Sequence, residues 1–398
     1  MSPPFQRLQR ILIASRSAWS ILGMVLVLIG LLELMFRVIF GIWDLGTSRP
    51  VPDPRVISEG YCGESWPRIH FEELGRLSDR WESYVYFRQR PFRGATITID
   101  EEGLRATWRP PAEGETRGDP REPMRILMLG GSSLWGYGAR DDRTIPSLIA
   151  QRLHARGLRF EIRNLAEIGY VNTQELIALV RELQRGYRPG VVIFYDGVND
   201  TTSALLEGRP TLSTNEINRV REFNLLQSPA RLSAALAERL IKQSATQRFA
   251  RAAARRLGLG PATAHPDLGG AELELLAEGV VDGYRANLRI VQGLAAAFGF
   301  RPVFVWQPVV FSKRRPHPYE REEAERYAWT QPIFEAVHRR IQNSRELLED
   351  ASFLSLEDLL ADSQALDFID FCHTTERANE IVAEAITLRL LSMLPQAP

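Results

Sequence analysis

From residue 124 onward, short apolar runs alternate with segments of helical spacing, and this alternation limits the folds open to the chain. The first of them, Arg125–Leu129, lacks the polar alternation of a half-exposed strand, which is typical of a strand buried on both faces. Five runs are predicted as strands: Arg125–Leu129, Phe160–Leu165, Val191–Tyr195, Pro302–Trp306 and Phe353–Leu356. Strands that alternate with helices predict a parallel sheet covered by helices on both sides.

The first run leads directly into Gly130-Gly131-Ser132-Ser133, a sequence that predicts a sharp turn. Paired glycines allow a tight turn and a close approach of the backbone to a ligand. A helical pattern then opens at Thr144-Ile145-Pro146, with the proline in a first-turn position. Ser132 is therefore predicted at the carboxyl end of a strand, where open α/β sheets hold their ligands. It is the candidate nucleophile.

Three other motifs that use a glycine turn fit this stretch less well. A phosphate-binding loop needs Lys-Ser/Thr after its second glycine, but Tyr137 follows Gly136. The dinucleotide-binding fingerprint needs a further glycine, which is missing at the required offset after Gly138. The nucleophile elbow needs a glycine where Leu134 stands. An ordinary turn remains the simplest alternative.

A candidate base and its orienting acid lie late in the chain, in Asp370-Phe371-Cys372-His373. A serine hydroxyl is a weak nucleophile until a base removes its proton, and histidine has a suitable pKa. A carboxylate fixes the tautomer of that histidine and stabilises the imidazolium. An acid three residues before its histidine can return to it within one loop turn. A surface pair is the alternative interpretation.

Acyl transfer also requires donors aimed at the developing oxyanion. Three candidates follow predicted strands: the backbone N–H of Ser132, the backbone N–H of Gly169 and the side-chain amide of Asn199. Gly169 and Asn199 are also common turn residues, so each has a purely structural alternative.

Together these pieces resemble the four ordered blocks of the SGNH (GDSL-like) hydrolases. The blocks, within about residues 124–395, are Gly130-Gly131-Ser132, Gly169, Gly197-Val198-Asn199-Asp200 and Asp370-x-x-His373. The resemblance implies a flavodoxin-like three-layer α/β sandwich. It also implies that Ser132 is the nucleophile, that His373 and Asp370 are the base and its orienter, and that the oxyanion donors come from Ser132, Gly169 and Asn199.

One position departs from the family pattern, because Gly131 stands where the first block usually has aspartate. That aspartate is not among the catalytic groups, so the implied activity is retained. Ser133 is an alternative hydroxyl, and Asp367 and Asp196 are backup acids ranked below Asp370.

An apolar segment, Ala18 to Trp43, precedes this domain and contains only Glu33 and Arg37 as charged residues. A helix of these 26 residues would be roughly 39 Å long, which is enough to cross a bilayer core. A cleaved signal peptide would have a shorter apolar segment and a cleavage site made of small residues. A helix buried in a protein core would not need so long an uncharged stretch. We therefore expect a single membrane anchor.

Basic residues set the expected orientation of this anchor. Arg7, Arg10 and Arg16 precede the span, which favours a cytoplasmic amino terminus and a periplasmic catalytic domain. The predicted organisation is a tail over 1–17, the anchor over 18–43, a juxtamembrane region and linker over 44–123 and the hydrolase-like domain over 124–395. A helical insertion is predicted at about 201–273. Within the juxtamembrane region, Ala95–Asp100 alternates like a strand and Pro110–Pro123 is predicted to be a solvated linker.

Composition argues against several other classes of protein. Basic and acidic residues number 49 each, so no overall field favours nucleic acid. The histidines and the two cysteines have no metal-ligand spacing, and we expect neither a metal nor a cofactor. An exported domain would permit a Cys62–Cys372 disulfide.

The expected function is a serine esterase or acylhydrolase, with acetyl groups of envelope or exported polysaccharide as candidate substrates. An O-acyltransferase that modifies a glycan is the first alternative. A non-catalytic binding or assembly module is the second. Partners other than the membrane and an ester or acylated glycan are not predicted.

Overall fold

The computed structural model describes residues 3–47, 54–57, 61, 63–110, 123–257, 266 and 268–393. The chain divides into two compact units. The amino-terminal unit comprises residues 1–51 and 218–264, and the sheet unit comprises residues 52–217 and 265–398.

The main sheet of the sheet unit has five strands, and each lies within two residues of a predicted apolar run. The nine strands of the described chain are β1 Asp79–Glu82, β2 Tyr86–Gln89, β3 Phe92–Arg93, β4 Thr98–Ile99, β5 Met124–Gly130, β6 Phe160–Asn164, β7 Val191–Asp196, β8 Arg301–Trp306 and β9 Phe353–Ser355. The sheet order is β6-β5-β7-β8-β9 with every neighbouring pair parallel. This is the flavodoxin-like order, and it confirms the predicted fold class.

Helices cover the sheet on both faces. Successive residues of a strand point to opposite sides of the sheet, so each strand contributes side chains to both layers of core beneath these helices. Ile126 and Met128 of β5 face one hydrophobic core, whereas Leu127 and Leu129 face the other. The helices of the chain are α1 Pro3–Thr47, α2 Trp66–Leu74, α3 Ser132–Trp135, α4 Ile145–Ala155, α5 Asn172–Gln184, α6 Val198–Glu207, α7 Glu216–Leu226, α8 Pro229–Lys242, α9 Ala245–Arg256, α10 Gly270–Phe298, α11 Pro318–Arg326, α12 Gln331–Gln342, α13 Arg345–Leu348 and α14 Glu376–Met393.

The region before β5, the first strand of the main sheet along the chain, differs from the prediction. Residues 44–123 were expected to lie outside the hydrolase-like domain, yet residues from 52 onward belong to the sheet unit. Ile97 and Ile99 are buried in the core that contains Ile126. The strand expected over Ala95–Asp100 is reduced to β4, which pairs with β3. The alternation of residues 95–100 predicted a strand but did not indicate that its isoleucines would pack into the sheet core. Most of the predicted linker, residues 111–122, lies outside the described residues.

The predicted insertion over 201–273 also has different bounds. Helix α6 continues through Thr201 to Glu207, and its Ala204 and Leu205 are buried in the sheet core. Helix α10 begins at Gly270 and packs on the sheet through Val280 and Tyr284. Residues 218–264, between these helices, belong to the amino-terminal unit.

The amino-terminal unit is built on α1, which contains one segment long and apolar enough to cross a membrane, Trp19–Asp44. Its apolar side chains are exposed, with Trp19, Met24, Ile29 and Trp43 all more than half accessible. A soluble core helix would bury such residues, so this exposure agrees with a helix that meets lipid.

Candidate active site

Ser132 lies immediately after β5, at the carboxyl edge of the sheet. The strand ends at Gly130, and Ser132 is the first residue of α3. This short helix is held by a hydrogen bond from the Trp135 N–H to the Gly131 carbonyl, 3.0 Å long. The sequence predicted the turn but not α3, since four residues are too few for a helical pattern. Ser132 is mostly buried, with 8% of its surface accessible.

His373 contacts the Ser132 hydroxyl although the two residues are 241 positions apart. The Nε2 atom of His373 lies 2.8 Å from Ser132 Oγ, and its Nδ1 atom lies 2.6 Å from Asp370 Oδ2. The loop that carries both residues is closed by the Ile369 N–H, which donates to the His373 carbonyl at 2.9 Å. Ser132, His373 and Asp370 therefore form one hydrogen-bonded chain, with the imidazole in the middle.

Asp370 is held as a carboxylate by its surroundings. Burial acts to raise the Asp370 pKa, but the neighbouring His373 and the hydrogen bonds outweigh it and lower the pKa. The Oδ1 atom accepts from the backbone N–H groups of Cys372 at 3.0 Å and His373 at 2.8 Å. A carboxylate fixed in this way keeps a proton on His373 Nδ1, so that Nε2 can accept the proton of a hydroxyl.

The ring of Tyr137 stacks on His373, a contact that the sequence analysis missed. The two ring centroids are 4.3 Å apart and the planes are inclined by 25°. Tyr137 follows the glycine that ends α3, so the same turn that presents Ser132 also places this ring. An aromatic residue in a loop gives no periodic signal, and only the folded chain shows its partner.

The two other blocks flank the Ser132 turn, because β6 and β7 are the neighbours of β5 in the sheet. Gly169 lies in the turn after β6 with φ +85°, a conformation that favours glycine. Asn199 lies in the first turn of α6, after β7, and its Nδ2 donates to the Tyr170 carbonyl at 2.7 Å. An amide nitrogen has two N–H groups, so one of them remains for a ligand.

Gly131 makes room for the Asn199 side chain. A Cβ atom at position 131 would overlap Asn199 Nδ2 and would lie 3.6 Å from the Tyr170 carbonyl oxygen. The residue that replaces the usual aspartate of the first block is thus in contact with a candidate oxyanion donor.

We expect Gly131→Ala to lower kcat by roughly 10-fold or more, because a displaced oxyanion donor costs about 10²–10³ in kcat when it is lost outright. Gly190→Ala is the matched control, since a Cβ there would meet only the Arg125 carbonyl oxygen at 3.6 Å. Steady-state ester hydrolysis by both variants checks this prediction. Equal rates for the two variants would show that space at position 131 is irrelevant to turnover.

The alternative residues named from the sequence have other partners. The Ser133 hydroxyl donates to the Cys372 carbonyl and accepts from Gln307 Nε2, both at 3.4 Å. Asp367 pairs with Lys313 at 2.9 Å and with Arg377. Asp196 accepts from Asn172 Nδ2 at 2.9 Å. None of these contacts involves His373.

A cluster of buried acids lies behind the Asn199 turn. Glu175, Asp196 and Asp200 are each less than one-tenth exposed. Burial raises the Glu175 pKa, and the charge of Asp196 raises it further. Burial also raises the pKa of Asp196 to about 8 and that of Asp200 to about 6. The cluster therefore holds protons at neutral pH in the folded state.

The raised pKa values of this cluster make the free energy of unfolding decrease as the pH rises. Unfolded carboxylates lose their protons near pH 4, whereas the folded cluster retains them to higher pH, so the folded state binds more protons across that window. Glu175→Gln has no proton to lose at that position. We expect its thermal midpoint to exceed that of the unsubstituted chain by a few degrees at about pH 8.5 and to match it near pH 5. Thermal scans at both pH values provide the measurement, with the exposed Glu272→Gln as control. An equal pH-dependent decrease in Glu175→Gln and the parent would contradict this assignment.

Among the described residues, Asp370, Cys372 and His373 are the group whose ligand atoms, within 4.8 Å of one another, could hold a metal ion. Burial and the charge of Asp370 raise the Cys372 pKa, which disfavours the thiolate that a metal requires. Asp370 and His373 already bond to each other, so the group fits a hydrogen-bonded dyad better. Cys62 lies outside the described residues, but Cys372 is a free, buried cysteine, so the expected Cys62–Cys372 disulfide is not formed.

Neither protein-family models nor curated proteins match this sequence. Several solved structures of SGNH/GDSL-type hydrolases are similar to the chain. A protein assigned to the G-D-S-L lipolytic family from Desulfitobacterium hafniense is 9% identical over 67% of this chain and 99% of its own, with a TM-score of 0.36. A psychrotrophic esterase from Pseudoalteromonas is 12% identical over 68% and 97%, with a TM-score of 0.33. An acetyl xylan esterase is 9% identical over 68% and 100%, with a TM-score of 0.35. At this level of similarity, the roles of individual residues depend on the geometry of this chain.

Proposed function

We propose that the protein is a serine esterase in which Ser132 is the nucleophile. The observation that carries this proposal is the hydrogen-bonded chain from Ser132 Oγ to His373 Nε2 at 2.8 Å and from His373 Nδ1 to Asp370 Oδ2 at 2.6 Å. A module that only binds or assembles has no need to align a hydroxyl, an imidazole and a carboxylate in this order.

In the proposed reaction, Ser132 Oγ attacks the ester carbonyl carbon while His373 Nε2 takes the hydroxyl proton. The negative charge that develops on the carbonyl oxygen is met by the N–H groups of Ser132 and Gly169 and by the free N–H of Asn199. The imidazolium returns its proton to the departing alkoxide, which leaves an acyl group on Ser132. Water, activated by the same imidazole, then releases the acid.

Hydrolysis and acyl transfer to a glycan differ only in the molecule that accepts the acyl group. The full chain in detergent is incubated with p-nitrophenyl acetate, with and without an added polysaccharide, and the products are separated. We expect acetate to account for the acyl groups released in both cases. Acetylated polysaccharide at the expense of free acetate would assign the chain to the O-acyltransferases, and no p-nitrophenol release would contradict both activities.

We propose further that α1 anchors the sheet unit on the periplasmic side of a bacterial inner membrane. The basic residues before the apolar segment, Arg7, Arg10 and Arg16, support this orientation. Alkaline phosphatase, which is active only outside the cytoplasm, can be fused to the carboxyl terminus. An active fusion is expected, and an inactive but intact one would reverse the orientation.

A further inference from the structure

Helix α8 of the amino-terminal unit has an apolar stripe that no other part of the described chain covers. Leu232, Leu236 and Leu240 recur every four residues and are 37%, 55% and 71% exposed. Residues spaced in this way lie on one face of a helix. The opposite face carries Glu238 and Lys242, which form an ion pair. An exposed apolar stripe beside a charged face marks an interaction surface.

The charge of this region indicates the chemistry of its partner. Residues 229–256, which form α8, α9 and the turn between them, contain seven arginine and lysine residues and only one acid, Glu238. The chain as a whole is electrically balanced, so this excess of positive charge is local. A local cationic surface attracts a polyanionic partner.

The position of the helices in the unit indicates where this partner lies. The carboxylate of Glu33 in α1 accepts the first N–H groups of α9, from Ala245 at 2.9 Å and Thr246 at 3.0 Å. It also accepts the Thr246 hydroxyl at 2.9 Å. The ring of Phe249 stacks on Phe36 of α1 with centroids 4.4 Å apart. Helix α9 is therefore fixed to the apolar helix that meets the bilayer.

A second contact fixes α9 one turn further along its length. The Arg248 guanidinium donates two hydrogen bonds to Asp44, at 2.6 and 2.7 Å, and lies over the Phe40 ring at 4.2 Å. Because α8 immediately precedes α9 and contacts it, α8 is joined directly to the helix that is fixed to this end of α1.

We propose that α8 lies in the surface of the bilayer that α1 crosses. The stripe of Leu232, Leu236 and Leu240 enters the acyl-chain boundary, and the cationic groups of α8 and α9 lie among the phosphates of anionic lipids. Helices that combine an apolar face with Lys and Arg on the polar face bind membrane interfaces in this way.

The same contacts locate the point where α1 leaves the hydrocarbon. Glu33 of α1, and Lys242 and Gln243 just before α9, would be costly to place in the bilayer centre. Residues 11–32, which precede Glu33, contain Arg16 as their only charged residue, and Arg16 is near enough to the cytoplasmic end for its side chain to reach the interface. A helix of that length is roughly 33 Å long and can span the core alone. Residues 33–44 then stand in the interface as the support for α9.

The test uses the full chain in nanodiscs that contain phosphatidylglycerol and phosphatidylcholine brominated on its acyl chains. Leu236→Cys and Glu238→Cys, two residues apart on opposite faces of α8, are labelled with the fluorophore NBD. The unsubstituted chain, labelled in parallel, gives the contribution of Cys62 and Cys372. Hydrolysis of p-nitrophenyl acetate by each labelled variant verifies that the sheet unit is folded.

We expect brominated lipid to quench the label at 236 about threefold or more relative to the label at 238. Omission of phosphatidylglycerol should reduce this ratio, because the cations lose their anionic partners. Equal quenching of both labels would overturn the proposal. A second result would also overturn the proposal: a label at 236 whose emission indicates an apolar environment but which brominated lipid does not quench. A protein surface, and not lipid, would then cover the stripe.

Discussion

Ser132→Ala is expected to lower kcat for p-nitrophenyl acetate by about 10³–10⁵-fold, with the protein still folded. The substitution removes the one hydroxyl that lies within hydrogen-bond distance of the His373 imidazole among the described residues, at 2.8 Å. In the proposed mechanism no acyl-enzyme can form without that hydroxyl, and the proposed oxyanion donors would accelerate only the attack of water. Initial rates for the purified full chain, compared with the unsubstituted protein, give the measurement.

Ser133→Ala is the matched control because the two serines are adjacent and equally buried. Its hydroxyl contacts the Cys372 carbonyl and Gln307 rather than His373. We expect its kcat to remain within about threefold of the parent, as for a substitution that removes two weak neutral hydrogen bonds away from His373. An inactive Ser133→Ala together with an active Ser132→Ala would transfer the role of nucleophile to Ser133.

Asp370→Asn is expected to lower kcat by about 10³–10⁴-fold while leaving the loop in place. The asparagine Oδ1 can still accept the backbone N–H groups of Cys372 and His373, so the fold of the loop survives. The side-chain NH₂ then faces His373 Nδ1, which must accept rather than donate. That tautomer carries its proton on Nε2 and cannot take the Ser132 proton.

Asp367→Asn distinguishes this effect from a general loss of buried charge. Asp367 is fully buried and pairs with Lys313 and Arg377, so its replacement should lower the thermal midpoint. Its kcat per folded molecule should stay close to that of the parent. Rates normalised to the folded fraction compare the two variants, and a larger loss in Asp367→Asn would exchange the roles of the two acids.

The strands were predictable because their physical signal is local. Val191–Tyr195, for example, is buried on both faces and therefore contains no polar alternation. The order of the strands is not local information, and the sequence indicated it only through the flavodoxin-like fold that the family resemblance implies. The placement of Ser132 beside His373 then followed from the convergence of loops at one edge of a parallel sheet.

Other features were hidden because they depend on contacts between distant segments. Tyr137 has no sequence signal for its stacking on His373, and the Asn199 amide is revealed as the neighbour of Gly131 only in three dimensions. Ile97 and Ile99 are buried in the sheet core, although the alternation of residues 95–100 indicated only a strand and not the core that it joins. Composition likewise gave no indication that Ala245 and Thr246 would bond to Glu33, more than 200 positions earlier.

The most direct test of the proposed mechanism is the site of covalent modification by a serine-directed phosphonate. The full chain is treated with a fluorophosphonate, digested and analysed by mass spectrometry for the modified peptide. We predict one phosphonylated residue, Ser132, with the modification abolished in Ser132→Ala and greatly slowed in Asp370→Asn. An unmodified Ser132 under conditions that inactivate the enzyme, or an adduct on another serine, would contradict the assignment of Ser132 as nucleophile.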